Sequence, residues 1–492
     1  MRQRKSNRRG SRSMGVGVTH QGSNGWALRR PEPDPTSLPT IPSLPYRTDR
    51  FRQSRFNDPM IAAEQRDAHM PEPLEGLRVV EFAIAIQGPL VGGFLADMGA
   101  DVVKVEPPGG DPNRWHTGVN WTAPPETPGA QFLSVSHGKR SIALDVHTEI
   151  GREILMRLVD RADVFVSNFR EDSLERMGLG YEELAKRNER LVYGIANGFG
   201  HEGPDRNKRM TDQYAQVRSG IANMVGDPET QPMIAGSVIG DTSGAMGLTL
   251  AIMTALAARE LHGVGQKVRT SAYGVLVWMQ GWELNHSSIS GTMLSREGPH
   301  HPNVPDSAGT YLTADGGAFH VDVQGDEAWQ EFCEFGGIPE IGTDPRWNES
   351  RKRSPMNDFR WVDQARLLRP HMARAMKHRT TDEWERFFDE RREYIMYQRV
   401  FDYEDVINDE QALKNGYIVE KDVPGVGKKP MAGNFAQFNK TPPSAKPWFP
   451  ELGQHTAEVM SELGFSNEQI AEVEAQKNPR QPMSRRARSR RR

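Results

Sequence analysis

From Leu74 onward the chain alternates short β-rich runs with helical segments, and this alternation narrows the possible folds more than any other feature of the sequence. The runs Leu77–Phe82, Asp101–Glu106, Ser141–Val146, Asp163–Asn168 and Leu191–Asn197 carry the β-branched and aromatic residues of buried strands. Between the third and fourth, Thr148–Ala162 places Ile150, Ile154, Leu155, Leu158 and Val159 on one helical face. Strands that alternate with helices build βαβ units, so the expected fold is α/β with a parallel sheet. Asp241–His262 reads as a further helix closed near Gly263, Lys267–Ala272 as a strand, and Gly274–Leu284 as an apolar helix.

The pattern changes near residue 290. Thr310–Val323 reads as a hairpin around the two-residue turn Asp315-Gly316. Helices follow at Asp326–Phe335 and Thr381–Asp389, the second opened by a Thr380/Glu383 capping box. A second box, Ser466/Gln469, opens the last helix. The expected organisation is a large domain over 71–290, a small α+β domain over 295–395 and a return to the large domain over 396–475. Residues 1–70 and 476–492, rich in Arg, Pro and Ser, read as disordered extensions.

Charge separates these ends from the body. Residues 1–14 carry six basic residues and 478–492 carry seven, with no acid in either. Without those 13, 49 basic residues face 65 acidic ones, so the body is strongly acidic and a nucleic-acid-binding role is disfavoured except for the two basic tips. The single cysteine, Cys333, excludes internal disulfides and cysteine-based metal sites and points to a reducing, cytoplasmic setting. The apolar stretch Gly244–Ala258 has 15 residues, which suits a buried helix better than a membrane span.

Motifs for common chemistries are missing. No HExxH, GxSxG, Walker loop or GxGxxG spacing occurs. The glycines Gly88, Gly92, Gly93 and Gly99 follow the first strand and read as close helix–sheet packing or as a phosphate contact. Asp241, in Gly240-Asp241-Thr242-Ser243-Gly244, has two readings. One is a helix N-cap. The other is a nucleophilic carboxylate kept ionised by the helix N-terminus, with backbone N–H groups nearby for an oxyanion. The local pattern leaves both open.

A longer resemblance bears on that choice. The run Leu74–Phe82, Gly88-Pro89 and Leu95–Pro107 is similar to the opening of the family III CoA-transferases. The similarity continues through Lys139–Asp145, Asn168-Phe169, Leu174–Leu179, Gly198–Gly200, Gly240-Asp241, Gly265-Gln266 and Gly453–Thr456, and spans about residues 72–475. It implies a Rossmann-like large domain, a small domain and an interlocked homodimer. It also implies that Asp241 is the nucleophile, exchanging acyl groups between an acyl-CoA and a carboxylic acid with no tightly bound cofactor and no metal; coenzyme A arrives as part of the substrate. Position by position, the resemblance places Ala85, Ile86 and Gln87 near the thioester. It places Asn168 and Phe169 along CoA, Arg176 and Arg209 near its phosphates and Leu144 beside the adenine. Pro107 replaces an arginine of formyl-CoA transferase, and Lys139-Arg140 also reads as a solvated charge pair.

Two rivals remain at this stage. A racemase of the same family uses a His-Asp pair, where this chain has Thr211-Asp212, and threonine is no base at neutral pH. A non-catalytic CoA-binding protein would not need the intact Gly240-Asp241.

Overall fold

A computed structural model of the chain describes residues 70–478 except Asn120, Pro125, Glu126, Pro305, Met356–Asp358, Ala445 and Pro447. The extensions expected over 1–70 and 476–492 therefore lie outside the described residues, apart from Met70 and residues 476–478.

The alternation produces β1 (Arg78–Phe82), α1 (Gln87–Asp97), β2 (Asp101–Glu106), β3 (Arg140–Ala143), α2 (Glu149–Arg161), β4 (Val164–Ser167), α3 (Glu171–Arg176), β5 (Val192–Asn197), α4 (Asp212–Ser219), α5 (Ile239–His262) and β6 (Gln266–Ser271). The six strands form one parallel sheet in the order β3-β2-β1-β4-β5-β6. This is the doubly wound Rossmann-like order, in which the direction of winding reverses between β1 and β4. Ligands of such sheets bind outside the carboxyl ends of the strands at that reversal.

The period-2 pattern sorts side chains into two layers. Val80, Val103, Phe165 and Tyr193 face α2 and the C-terminal helices. Val79, Val102, Val164 and Val192 face α1 and α5. The glycine-rich α1 is a packing device: a Cβ on Gly92 would lie 2.0 Å from Glu81 Oε2, and one on Gly93 would lie 3.1 Å from the Val135 carbonyl. α5 starts two residues before the expected Asp241, ends at His262 as expected, runs 24 residues, and is long and apolar enough to cross a membrane by length and composition. Its Leu248 and Ile252 are fully buried against the sheet.

The expected helix over Gly274–Leu284 is instead two helices, α6 (Ala272–Met279) and α7 (Gly281–Ser290). The break falls at Gln280, whose amide turns back to the carbonyls of Leu276 and Ser219. Next comes the antiparallel sheet β7 (Gly309–Leu312), β8 (Ala318–Val323) and β9 (Ile395–Arg399). Its hairpin closes over Ala314–Gly316, with the Thr313 N–H bonded to the Gly317 carbonyl at 2.9 Å. Thus the loop has three residues rather than two, and Gly316 takes the left-handed position at φ 90°. Helices Asp326–Phe335 and Thr381–Asp389 pack Trp329, Phe332, Trp384 and Phe388 on this sheet. The Thr380/Glu383 box is formed, as is that of Ser466 and Gln469. The chain then makes a hairpin, β10 (Ile418–Val423) and β11 (Gly427–Ala432), and returns to the large sheet at Thr456–Glu462. There His455 exchanges hydrogen bonds with the edge strand β3: its Nδ1 accepts from the Ser141 N–H at 3.1 Å and its N–H donates to the Ser141 carbonyl at 2.9 Å.

Candidate active site

A cavity of about 980 Å³ opens at the carboxyl ends of β1, β4 and β5, where the winding reverses. The β1–α1 turn contributes Ala85, Ile86 and Gln87, the residue after β4 contributes Asn168, and the first turn of α5 contributes Asp241. Arg209 lines the same cavity, together with Arg206 and Lys208 from one short segment. This row of cations suits phosphate groups.

Six of the residues singled out in the sequence thus converge: Ala85, Ile86, Gln87, Asn168, Arg209 and Asp241. Three do not line the cavity. Leu144 is 2% exposed in the core beneath the sheet. Phe169 is half-buried, with its ring centroid 5.1 Å from that of Phe82. Arg176 is exposed and donates to the Ser173 hydroxyl at 3.0 Å.

Asp241 is not the helix N-cap. α5 begins two residues earlier, at Ile239, with Val238 at the cap position. The capping carboxylate belongs to Asp212, 28 residues upstream on the first turn of α4. Its Oδ1 accepts from the N–H groups of Gly240 at 2.6 Å and Asp241 at 3.1 Å, and its Oδ2 accepts from the Gln216 amide at 2.6 Å. The Ile239 N–H is bonded to the Ser237 carbonyl. The first N–H groups of α5 are therefore engaged, and they offer no oxyanion site.

This arrangement also changes the expected ionisation of Asp241. Burial, and secondarily the charge of Asp212, push its carboxyl up to about 6 instead of holding it low. Among the described residues no hydrogen bond or ion pair engages that carboxylate. Gln87 lines the same space: it is 4% exposed and its Nε2 has no hydrogen-bond partner among the described residues. It packs on α5 one turn beyond Asp241, where a Cβ on Gly244 would lie 2.2 Å from Nε2.

The turn carrying Gln87 is built on charged residues that sequence reading left at the surface or passed over. Lys139, which in sequence reads equally as part of the family resemblance and as half of a solvated charge pair, is fully buried and donates to Glu81 at 2.5 Å. Lys104 bridges Glu81 at 2.8 Å and Asp111 at 2.9 Å. Asp212 and Asn113 gave no local signal, because their partners lie 28 residues away in sequence. Among the described residues no three His, Cys, Asp or Glu side chains converge as a metal-ligating group. Cys333 lies in the core of the smaller sheet, where burial pushes its thiol up, and does not line this cavity.

Helices α5, α6 and α7 also present an apolar face to solvent. Leu250 is 68% exposed, Trp278 81% and Ile289 87%. An open groove of about 770 Å³ runs along it between Met246 and Trp278.

Comparison with known proteins agrees with this geometry. The sequence model of the family described as CoA-transferase family III matches residues 74–456. Succinyl-CoA–D-citramalate CoA-transferase of Chloroflexus aurantiacus is 31% identical over 416 residues, covering 83% of this chain and 98% of that protein. Succinyl-CoA:mesaconate CoA-transferase of Haloarcula hispanica is 31% identical, covering 80% and 96%. The crystal structure of a CaiB/BaiF family protein from Brucella suis superposes with a TM-score of 0.70 at 30% identity, covering 80% of this chain and all of that one.

Proposed function

The chain belongs to CoA-transferase family III and is a CoA-transferase, and on that premise we propose that it transfers CoA through a covalent intermediate on Asp241. The observation that carries this is the Asp241 carboxylate, open to the cavity at the reversal of the sheet and unpaired among the described residues.

An Asp241 oxygen attacks the thioester carbonyl of the donor. The C–S bond breaks, CoA leaves as thiolate, and an acyl-aspartyl anhydride forms. The thiolate then attacks the aspartyl carbonyl, releases the donor acid and leaves an aspartyl-CoA thioester. The acceptor carboxylate attacks that thioester and expels CoA thiolate, giving a second anhydride. Thiolate attack on its acyl carbonyl yields the new acyl-CoA and restores Asp241. No net proton or water is consumed, and the anhydride and thioester intermediates must be kept from hydrolysis. Basicity near 6 leaves Asp241 mostly ionised at neutral pH yet more nucleophilic than an ordinary carboxylate. The unpartnered Gln87 amide supports a donor role toward the developing oxyanion. Arg206, Lys208 and Arg209 suit the phosphates of CoA. The racemase alternative is not favoured: Thr211 stands where it would need a base.

The apolar face of α5–α7 supports a homodimer, interlocked as the family resemblance implies, in which a second copy covers Leu250 and Trp278. The named relatives act on succinyl-CoA with D-citramalate or mesaconate. We therefore place the acceptor of this chain among carboxylic acids larger than formate.

Intact mass after incubation with a panel of acyl-CoAs, succinyl-CoA among them, tests the mechanism. A hydroxylamine-sensitive adduct mapped to Asp241, absent in Asp241→Ala, is the expected result. Full turnover by Asp241→Ala would reject it.

A further inference from the structure

We propose that Asn113 is a positioning residue for the transfer reaction, the outermost link of a buried ionic chain that fixes the turn between β1 and α1 against the reacting groups. The inference rests on the assignment of Asp241 and concerns what holds the β1–α1 turn that lines its cavity.

Ala85 is the one non-glycine residue with positive φ among those described, at 66°. That conformation is strained for a side chain with a Cβ and persists only where surroundings enforce it. Here the enforcement is visible. The Asn113 amide donates to the Ala85 carbonyl at 2.6 Å. Asn168 grips the preceding residue twice, its Oδ1 accepting from the Ile84 N–H at 3.1 Å and its Nδ2 donating to the Ile84 carbonyl at 2.7 Å. Lys104 donates to the Ala83 carbonyl at 3.1 Å, and Lys139 to that of Pro89 at 2.6 Å. The carbonyls of residues 83, 84, 85 and 89 are thus all held by side chains from outside the turn.

These side chains are themselves connected. Lys139 and Lys104 share the carboxylate of Glu81, and Lys104 also pairs with Asp111. Asp111 Oδ1 accepts from the Asn113 N–H at 2.9 Å. All five of Glu81, Lys104, Asp111, Asn113 and Lys139 are at most 6% exposed. The chain ends at Ala85, which is exposed to the cavity beside Gln87. A network spent only on stability would have no reason to hold one strained, solvent-facing residue at its end. Its reach to Ala85 fixes the height and angle at which Ile86 and Gln87 meet a thioester, and a shift of even 1 Å there would be felt in the covalent step.

The test uses the full chain and two variants, Asn113→Ala and the isosteric Asn113→Asp, with hydrogen exchange of the segment 83–89, CoA affinity measured with free CoA, and steady-state transfer. The proposal expects exchange at 84–88 to quicken and kcat to fall at least about tenfold, with CoA affinity within about twofold of wild type. It also expects Ala85→Gly to restore part of the kcat lost in Asn113→Ala, because glycine adopts φ 66° without steric cost. Unchanged exchange in the segment, unchanged kcat, or an equal loss with and without glycine would each overturn it. If Asn113→Ala does not fold, the isosteric variant decides by the same criteria. If wild-type protein transfers nothing from any donor, the Asp241 assignment fails separately, and the exchange data alone still decide whether the turn is clamped.

Discussion

The backbone N–H of Asp241 is joined to the carboxylate of Asp212 by a 3.1 Å hydrogen bond. The residue assigned the nucleophilic role is therefore seated by a second acid rather than by a cation. That acid does two things at once: it satisfies helix donors that would otherwise be orphaned, and it sets a negative charge beside the reacting carboxylate.

Substitution separates the two effects. In Asp212→Asn the amide oxygen can still accept from Gly240 and Asp241, but the charge is gone, so the carboxyl of Asp241 moves down and transfer persists to lower pH. Asp212→Ala leaves one buried and one part-buried N–H group unmet and should cost about 1–3 kcal/mol of stability. Denaturant titration and pH–rate profiles of the two variants check this. Equal profiles in wild type and Asp212→Asn would refute the electrostatic part.

The pH dependence of the wild-type enzyme follows from the same carboxyl. Burial and Asp212 raise it to about 6, so the anion needed for attack is lost as pH falls through that value. The rate of adduct formation should show an acid limb near 6, well above the usual carboxylate range.

Stability should run against activity at this position. Because the folded-state value is raised, folding favours the protonated form, and stability is lost as pH climbs from the unfolded value through about 6. Asp241→Asn removes that loss. It should therefore be more stable than wild type above this window, by at most about 3 kcal/mol, and converge with it in acid. Thermal melts of both proteins across the window check the sign.

Gly244 is required by its neighbours. A Cβ there would meet Gln87 Nε2 at 2.2 Å and the Ala272 Cα at 3.2 Å. Gly244→Ala should cost about 1–3 kcal/mol through overpacking. It should also displace the Gln87 amide, so that kcat falls more than CoA affinity does.

The apolar face makes a prediction about mass. Trp278→Glu puts a charge into the surface assigned to the second copy; because interlocked copies part only by unfolding, it should lower the yield of dimer on refolding, read by light scattering, together with the melting temperature. A wild-type protein that is already monomeric would remove the assignment.

Local physics was readable where it is local. The strand Asp101–Glu106 and the helices Asp326–Phe335 and Thr381–Asp389 form at the expected residues. Their signals, β-branched runs, an amphipathic period and a capping box, lie within one element. The cavity was readable through the family resemblance, which brought Asp241 and Asn168 together. What stayed hidden is long-range. Lys139 looks solvated in sequence, since nothing beside it announces Glu81, 58 residues away. The Asp241 N-cap reading failed because the true cap arrives from another helix. At Gln280, where the helix breaks within a continuous apolar pattern, the amide bonds to a carbonyl 61 positions earlier.

The edge of the large sheet carries a last consequence. Among the described residues β3 has no further strand beside it; its Ser141 pairs with His455, and the Ala143 N–H donates to the Thr456 hydroxyl, more than 300 residues later in the chain. While the protein is being synthesised, that strand stands open until His455 has left the ribosome. The sheet can assemble early, but its border is sealed late, and a nascent chain stalled before that point presents free backbone donors and acceptors to any strand it meets.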